Sequence, residues 1–406
     1  MNLDNILTDH TIIIDELERS IKFYNWNSIL SFLPKGSYLV GGYIRDIILG
    51  RLTKDVDVDI VVPLNAIEIG RKIAKNIQSK FIILDKKREV VRIIFDHISI
   101  DIANQISPSI EEDLSSRDFS INSIAFLFEK KCLFDPLNGL KDLELSLLRT
   151  YSETNLLNDP LRILRCFRFV SELNFKIDQR LVTHIRKNRE KLYLVAQERI
   201  NYEIQKIVNG TNAIDSLILI KKYNIFGHEN LFKDSFFLDL KKINYSELNK
   251  LEKEKFLPLF FISQILDLAS LEKFKFNRAE IGKIKLLRKW HFLLKKKNIN
   301  QLSELDRFTL HQELEMFLPI FIFYLPQNLR FNWLHRWRDK DDKLFHPSNL
   351  LNGDVIKKNF KIEDGPILGE LLQYLSKELA FKRLNNFDEA IYKAKQWIKQ
   401  NAPKCD

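Results

Sequence analysis

The chain has 406 residues and is 45% hydrophobic with only 12 Gly and 11 Pro, which excludes a low-complexity or disordered protein and leaves room for two or three domains. Its formal net charge of +10 favours a polyanionic partner, nucleic acid or an anionic membrane surface, although a biased genomic composition also enriches lysine. Cys132, Cys166 and Cys405 lack metal-ligand spacing, no stretch is apolar for long enough to span a membrane, and the N-terminus has no signal-peptide pattern, so a reducing cytoplasm is expected.

Residues 1–33 read as a helical lead-in that ends at Pro34 and Gly36. A strand over 37–40 then meets Gly41 and Gly42, a helix follows from 43 to about 49, and Gly50 closes it. The run KDVDVDIVV, 54–62, reads as a strand whose Asp55, Asp57 and Asp59 alternate with valine and therefore point one way. A helix near 65–78 leads to strands over 80–84, 90–95 and 98–103, the last carrying Asp101. This is a mixed, α+β type of domain ending near residue 150. Past 155 the strand signals fade. The segments 158–173, 177–188 and 197–208 have helical spacing, and the rest reads as helices joined by short polar turns.

The chemistry concentrates in the first half. Gly41 and Gly42, between strand and helix, let a backbone approach phosphates closely, and Arg45 one turn on can reach the same group. The alternative use of Arg45 is a salt bridge to Asp46 or Asp57. Asp55 and Asp57 read as ligands of two Mg²⁺ ions, with Asp59 a substitute or supporting carboxylate. Asp101 is either a third catalytic carboxylate, as base or metal ligand, or a hydrogen-bonded strand residue. In SSRDFSINSIAF, 115–126, Arg117 is a phosphate or sugar contact, while Asp118 and Asn122 fix the turn and the next helix. In NDPLRILRCFRF, 158–169, Asp159 has the form of an N-cap before Pro160, and Arg162, Arg165 and Arg168 follow as a drifting basic stripe. A carboxylate accepts from the exocyclic amine of cytosine or adenine, and a guanidinium donates to their ring acceptors. Asp159 with Arg162 can therefore favour CTP and ATP over UTP and GTP.

In order and spacing, residues 37–208 resemble the class II tRNA nucleotidyltransferase and bacterial poly(A) polymerase family. The resemblance rests on GGYIRDIILGR with DVDVD, SRDFSINSIAF, DPLNGLKDLELSLLR at 135–149, NDPLRILRCFRF, and QERINYEIQKI at 197–207. It implies a polymerase β-like nucleotidyltransferase head followed by an all-helical neck, body and tail, here 34–150, 151–214 and 215–406. It implies transfer of nucleotide from CTP or ATP to a tRNA 3′ end. By position it matches Asp55 and Asp57 to the metal ligands, and Gly42 and Arg45 to triphosphate contacts. Arg117, Asp159, Arg162, Arg165 and Arg168 match the nucleotide-binding set. No obligate protein partner is inferred.

Ser116 and Asn158 replace the family's usual Arg and Glu, and the segment 102–115 is short where members that add the terminal A usually carry a longer flexible loop. Addition of CC is therefore favoured over full CCA or A addition. A poly(A) polymerase, a non-catalytic RNA-binding protein and a small-molecule transferase are the remaining alternatives. In the body, 281–297 holds seven Lys or Arg and no acid, and 329–340 interleaves Trp333 and Trp337 with arginines. Both stretches suit RNA, and both also suit an ordinary helix with a solvated face.

Overall fold

Strand alternation and helical periodicity build two compact units, the first ending at Gly227, in a computed structural model that describes residues 10–23, 26–227 and 236–401. Residues 1–9 of the expected lead-in, and Cys405, lie outside the described residues. The first unit opens with α1 (His10–Phe23), β1 (Tyr38–Val40), α2 (Gly42–Ile48) and β2 (Val56–Val62). It continues through α3 (Ala66–Asn76), β3 (Lys80–Asp85), β4 (Val90–Phe95), β5 (Ile98–Asn104) and α4 (Ile110–Ser115). Next come β6 (Ala125–Leu127), β7 (Cys132–Phe134) and α5 (Gly139–Glu144).

Seven strands form one mixed sheet in the order β3-β4-β5-β2-β1-β6-β7. Only β2 and β5 run parallel; the other neighbours are antiparallel. In β2 the valines and Ile60 are buried while Asp57 and Asp59 are open, so the pleat separates an apolar face from an acidic one. Helix α3 covers the apolar face with Ala66, Gly70, Ile73 and Ala74, and Gly70 lets it settle against Val91. The opposite face of β2 and β5 is left for chemistry.

The helix expected after Asn122 is instead a 3-10 turn, Ser120–Asn122, followed by β6. Three apolar residues are too few for a period to be legible; pairing of Tyr38 with Leu127 and Val40 with Ala125 makes them a strand. A second small sheet pairs β8 (Leu147–Leu148) in parallel with β9 (Lys176–Ile177). Around it lie α6 (Glu153–Asn158), α7 (Arg162–Leu173), α8 (Gln179–Asn188), α9 (Gln197–Asn209) and α10 (Ala213–Lys222). Helix α7 buries Leu164, Phe167 and Val170, and both α9 and α10 pack on it. Helix α10 runs across residue 214, so the first unit continues beyond the expected end of the neck.

The second unit has helices and turns but no strand among its described residues. Its helices are α11 (Lys250–Ile265), α12 (Leu268–Lys273), α13 (Arg278–Lys296), α14 (Glu304–Leu314), α15 (Leu318–Phe321), α16 (Gln327–Arg338), α17 (Gly353–Phe360), α18 (Pro366–Ala380) and α19 (Phe387–Asn401). Asn249 and Glu252 form a capping box at the start of α11. Phe260, Trp290, Phe308, Phe321 and Phe345 are fully buried, which puts much of the phenylalanine content to work as core. No helix among the described residues is long and apolar enough to cross a membrane.

Candidate active site

The acidic face of the sheet forms the floor of a cavity of about 760 Å³. Register sets its residues side by side: Asp57 lies opposite Ser99 and Asp59 opposite Asp101 across β2 and β5, and Asp101 lies opposite Arg92 on β4. Gly41 adopts φ +82°, and a Cβ there would come within 2.9 Å of Asp59 Oδ2 and 3.4 Å of Arg117 Nη1. Glycine is required for both reasons, and a side chain would fill the approach to Asp59. Burial pushes the Asp59 carboxyl up from its ordinary value; Arg117 and Arg92 oppose the shift, while Asp101 and Asp57 add to it. Its carboxylate is open to the cavity but surrounded by protein. A divalent cation would relieve this crowding of like charge, so the residues present fit one.

Arginines from three segments make the opposite wall. Arg117 Nη2 reaches Asp113 at 3.4 Å, and its Nε is buried without a hydrogen-bond partner. Arg165 gives Nε and Nη2 to Asp118 Oδ2 at 2.9 and 2.6 Å. The other Asp118 oxygen accepts from Asn122 Nδ2 at 3.0 Å and from the Phe119 N–H at 2.9 Å. Burial alone would raise the Asp118 carboxyl, but Arg165's charge and these hydrogen bonds outweigh it and hold it at about 2. Arg168 bonds Glu203 at 3.2 Å, and Arg162 Nη1 donates to the carbonyls of Ser116, Asn155 and Arg117 at 2.9, 3.1 and 3.2 Å. Beneath them lies the buried ring of Phe169, with the guanidiniums of Arg45, Arg165 and Arg168 at 5.0, 5.7 and 4.9 Å from its centroid.

Ten of the eleven residues singled out from the sequence line this one cavity: Gly41, Gly42, Arg45, Asp57, Asp101, Arg117, Asp159, Arg162, Arg165 and Arg168. Asp55 does not. It precedes β2, its side chain is 86% exposed, and its carboxylate meets His97 Nδ1 at 2.9 Å on the rim of a smaller neighbouring cavity. Asp57 and Asp59 line both cavities. The geometry thus brings Asp57 and Asp59 together in this cavity and leaves Asp55 at its neighbour's rim. At Asp101 the hydrogen-bonded alternative is the one seen: Arg92 occupies both its oxygens at 2.7 and 2.8 Å. Arg45 is spent largely on Asp46, at 2.9 and 2.8 Å, and on Asn122 Oδ1 at 2.7 Å. Among the described residues no three His, Cys, Asp or Glu side chains form a metal cluster by themselves. A site of two carboxylates completed by substrate phosphates has that form.

Sequence reasoning missed Arg92, Phe169, Arg199, Tyr202 and Glu203, all of which line the cavity. Glu203 is buried with one oxygen lacking a hydrogen-bond partner, and burial raises its carboxyl despite Arg168 and Arg165. The spacing of Arg199 and Glu203, four apart in QERINYE and so on one helical face, was the available signal.

In the second unit the basic stretches divide. Trp337 donates to the Glu315 carbonyl at 2.7 Å, Trp333 packs on His311 and Phe345, and Arg336 and Arg338 pair with Asp342 and Glu252, so 329–340 is mainly structural. In α13, Lys285 and Lys289 pair with Glu272 and Glu313, whereas Lys295 and Lys296 at its end, and Lys297 just beyond, are exposed.

A mixed-sheet head with a glycine turn facing an acid-bearing strand, joined to a neck whose helix carries arginines into the same cavity, defines a nucleotidyltransferase. The profile of the "Poly A polymerase head domain" matches residues 37–149, and that of the "Probable RNA and SrmB- binding site of polymerase A" matches 174–233. A CC-adding tRNA nucleotidyltransferase of Synechocystis sp. is 30% identical over 397 residues, covering 90% of this chain and 95% of the relative. The fold matches a CCA-adding enzyme in its apo form with TM-score 0.73 and 22% identity, covering 94% of this chain and 95% of the other. It matches the Thermotoga maritima CCA-adding enzyme complexed with tRNA with TM-score 0.69 and 23% identity, covering 89% and 91%. The chain belongs to the tRNA nucleotidyltransferase and poly(A) polymerase family, and it is an enzyme.

Proposed function

We propose that the chain transfers cytidylate from CTP to the 3′ end of tRNA and stops after the second C. The observation that carries this reading is the single cavity in which Asp57 and Asp59 face the guanidiniums of Arg117, Arg162, Arg165 and Arg168. A 3′-hydroxyl on the carboxylate side attacks the α-phosphorus; the new O–P bond forms as the bond to pyrophosphate breaks, and the hydroxyl proton leaves to solvent. Asp57 and Asp59 would hold divalent cation, Mg²⁺ in this proposal, which when bound offsets charge on the attacking and leaving oxygens. Arg117 and the α7 arginines hold the triphosphate, and Asp159 reads the base.

Restriction to C rests on the segment between β5 and Arg117. Ser109 caps α4, and buried Asp113 accepts from the Ile106 N–H at 3.2 Å while holding Arg117. It is short and tied down, whereas the family members that add the terminal A usually carry a longer flexible loop there. The Synechocystis relative is named as CC-adding, in line with this. Full CCA addition is the second reading, since both matched structures are named as CCA-adding enzymes. Transfer RNAs ending before C, after C and after CC, each offered CTP or ATP separately, decide between them. The first two should extend with CTP to the CC end, and the third should not extend with ATP. Addition of one A to the CC-ended RNA overturns the restriction.

Lys295, Lys296 and Lys297 are proposed as contacts to the RNA backbone. Reversing all three charges is expected to reduce the slope of log affinity against log salt by about 2 to 3, as loss of three phosphate contacts requires. An unchanged slope removes them from the interface.

A further inference from the structure

We infer that Arg199 is a specificity-determining positioning residue, holding Asp159 in the orientation that discriminates bases; this rests on Asp159 being the base-reading carboxylate. Asp159 has two oxygens with distinct partners. Oδ1 accepts from the Leu161 N–H at 3.2 Å, which ties it to the start of α7. Oδ2 accepts from Arg199 Nη2 at 2.8 Å, a charge-assisted bond from α9. Together the two bonds fix the carboxylate plane from both sides, with lone pairs left over for one further donor. The side chains of Asp159 and Arg199 are 31% and 54% exposed, so this donor can come from a ligand in the cavity both residues line.

Arg162 does not supply that restraint. Its Nη1 is occupied by three backbone carbonyls, so its reach is toward the 115–117 segment and α6 rather than the Asp159 carboxylate. Arg199 is the guanidinium that meets Asp159. A carboxylate fixed in this way accepts from an exocyclic amine and repels a carbonyl oxygen at the same place. Without Arg199 the Oδ2 atom loses its charged donor and can turn away from the base edge. The cavity would then bind the triphosphate nearly as before but distinguish cytosine from uracil less well.

The test is the ratio of kcat/KM for CTP to that for UTP on a tRNA lacking its terminal CC, in wild type, R199A, R199K, D159A and the double variant D159A/R199A. The expected result is a fall of about ten-fold in that ratio for R199A, the size of one lost base-reading contact, with most of the ratio restored in R199K. In the D159A background, removing Arg199 should change nothing further, because it acts through Asp159. If D159A leaves the ratio intact, Asp159 does not read the base and the underlying reading fails. If D159A lowers the ratio but R199A does not, or if R199A still lowers it in the D159A background, only the role given to Arg199 fails. A variant that loses activity toward CTP and UTP equally would show a merely structural role for Arg199.

Discussion

Asp57→Asn and Asp59→Asn should each reduce single-turnover incorporation of CMP by on the order of 10³-fold, whereas Asp55→Asn should stay within a few-fold of wild type. The difference follows from where the pleat begins. Asp57 and Asp59 lie within β2, paired with Ser99 and Asp101, so their carboxylates are fixed by the sheet. Asp55 lies one residue before the strand, largely in solvent, with His97 as its partner. An amide in place of Asp59 keeps shape and removes the charge that binds cation. The raised Asp59 carboxyl adds a pH signature. Protonation of Asp59 empties the cation site, so in low Mg²⁺ the acid limb of activity should lie above the ordinary carboxylate range and move down as Mg²⁺ is raised. RNA binding, measured separately, should survive all three substitutions. Full activity in Asp59→Asn together with loss in Asp55→Asn would establish Asp55 with Asp57, as expected from the sequence, in place of Asp57 with Asp59.

The contrast between Asp55 and Asp59 also shows how far the sequence could be read. Alternation placed Asp55, Asp57 and Asp59 on one face, and the register of strands supports that for the last two. It could not say which residue the strand starts on, and a two-residue shift along the strand is invisible to a period of two. The strands β2 to β5 were legible because each carries six or seven residues of pattern, and the three-residue β1 because it runs into Gly41 and Gly42. β6 and β7 were not, since their three-residue runs depend on pairing with β1 and with each other. The α7 arginines were recognisable as a group, but their partners were not. Asp118 was read as a turn residue, and nothing local in SRDFSIN tells that its carboxylate reaches 47 positions along the chain to Arg165. Likewise Arg92 looked like one more strand residue until β4 was paired with β5, which set it across from Asp101. Contacts distant in sequence decide which charges are free for a substrate and which are already used.

Asp118 carries the second large expectation. All the acceptor capacity named for it is used: Oδ1 by Phe119 and Asn122, Oδ2 twice by Arg165. Asn122 in turn accepts from Arg45, so one buried carboxylate orders a line of side chains across the floor of the cavity. Asp118→Ala is expected to destabilise the first unit by about 3 kcal/mol, because it leaves part-buried Arg165 with only the more distant Glu203, at 3.9 Å, as a charge partner. Asp118→Asn keeps the volume and tests the charge alone. The native carboxyl, at about 2 against an ordinary 3.8, is depressed by folding. Its contribution to stability is therefore complete above about pH 4 and is lost as pH falls towards 2; the two values imply on the order of 2 kcal/mol. Urea unfolding of wild type and Asp118→Asn should show a stability gap at pH 6 that narrows by roughly two-thirds of this amount by pH 2.5. Incorporation by Asp118→Asn at neutral pH should fall about 10²-fold, since Arg165 no longer holds its place beside the triphosphate. A gap that does not change with pH would mean the Asp118 charge is not what stabilises Arg165, and the line from Asp118 through Asn122 to Arg45 would then be held by packing on Phe169.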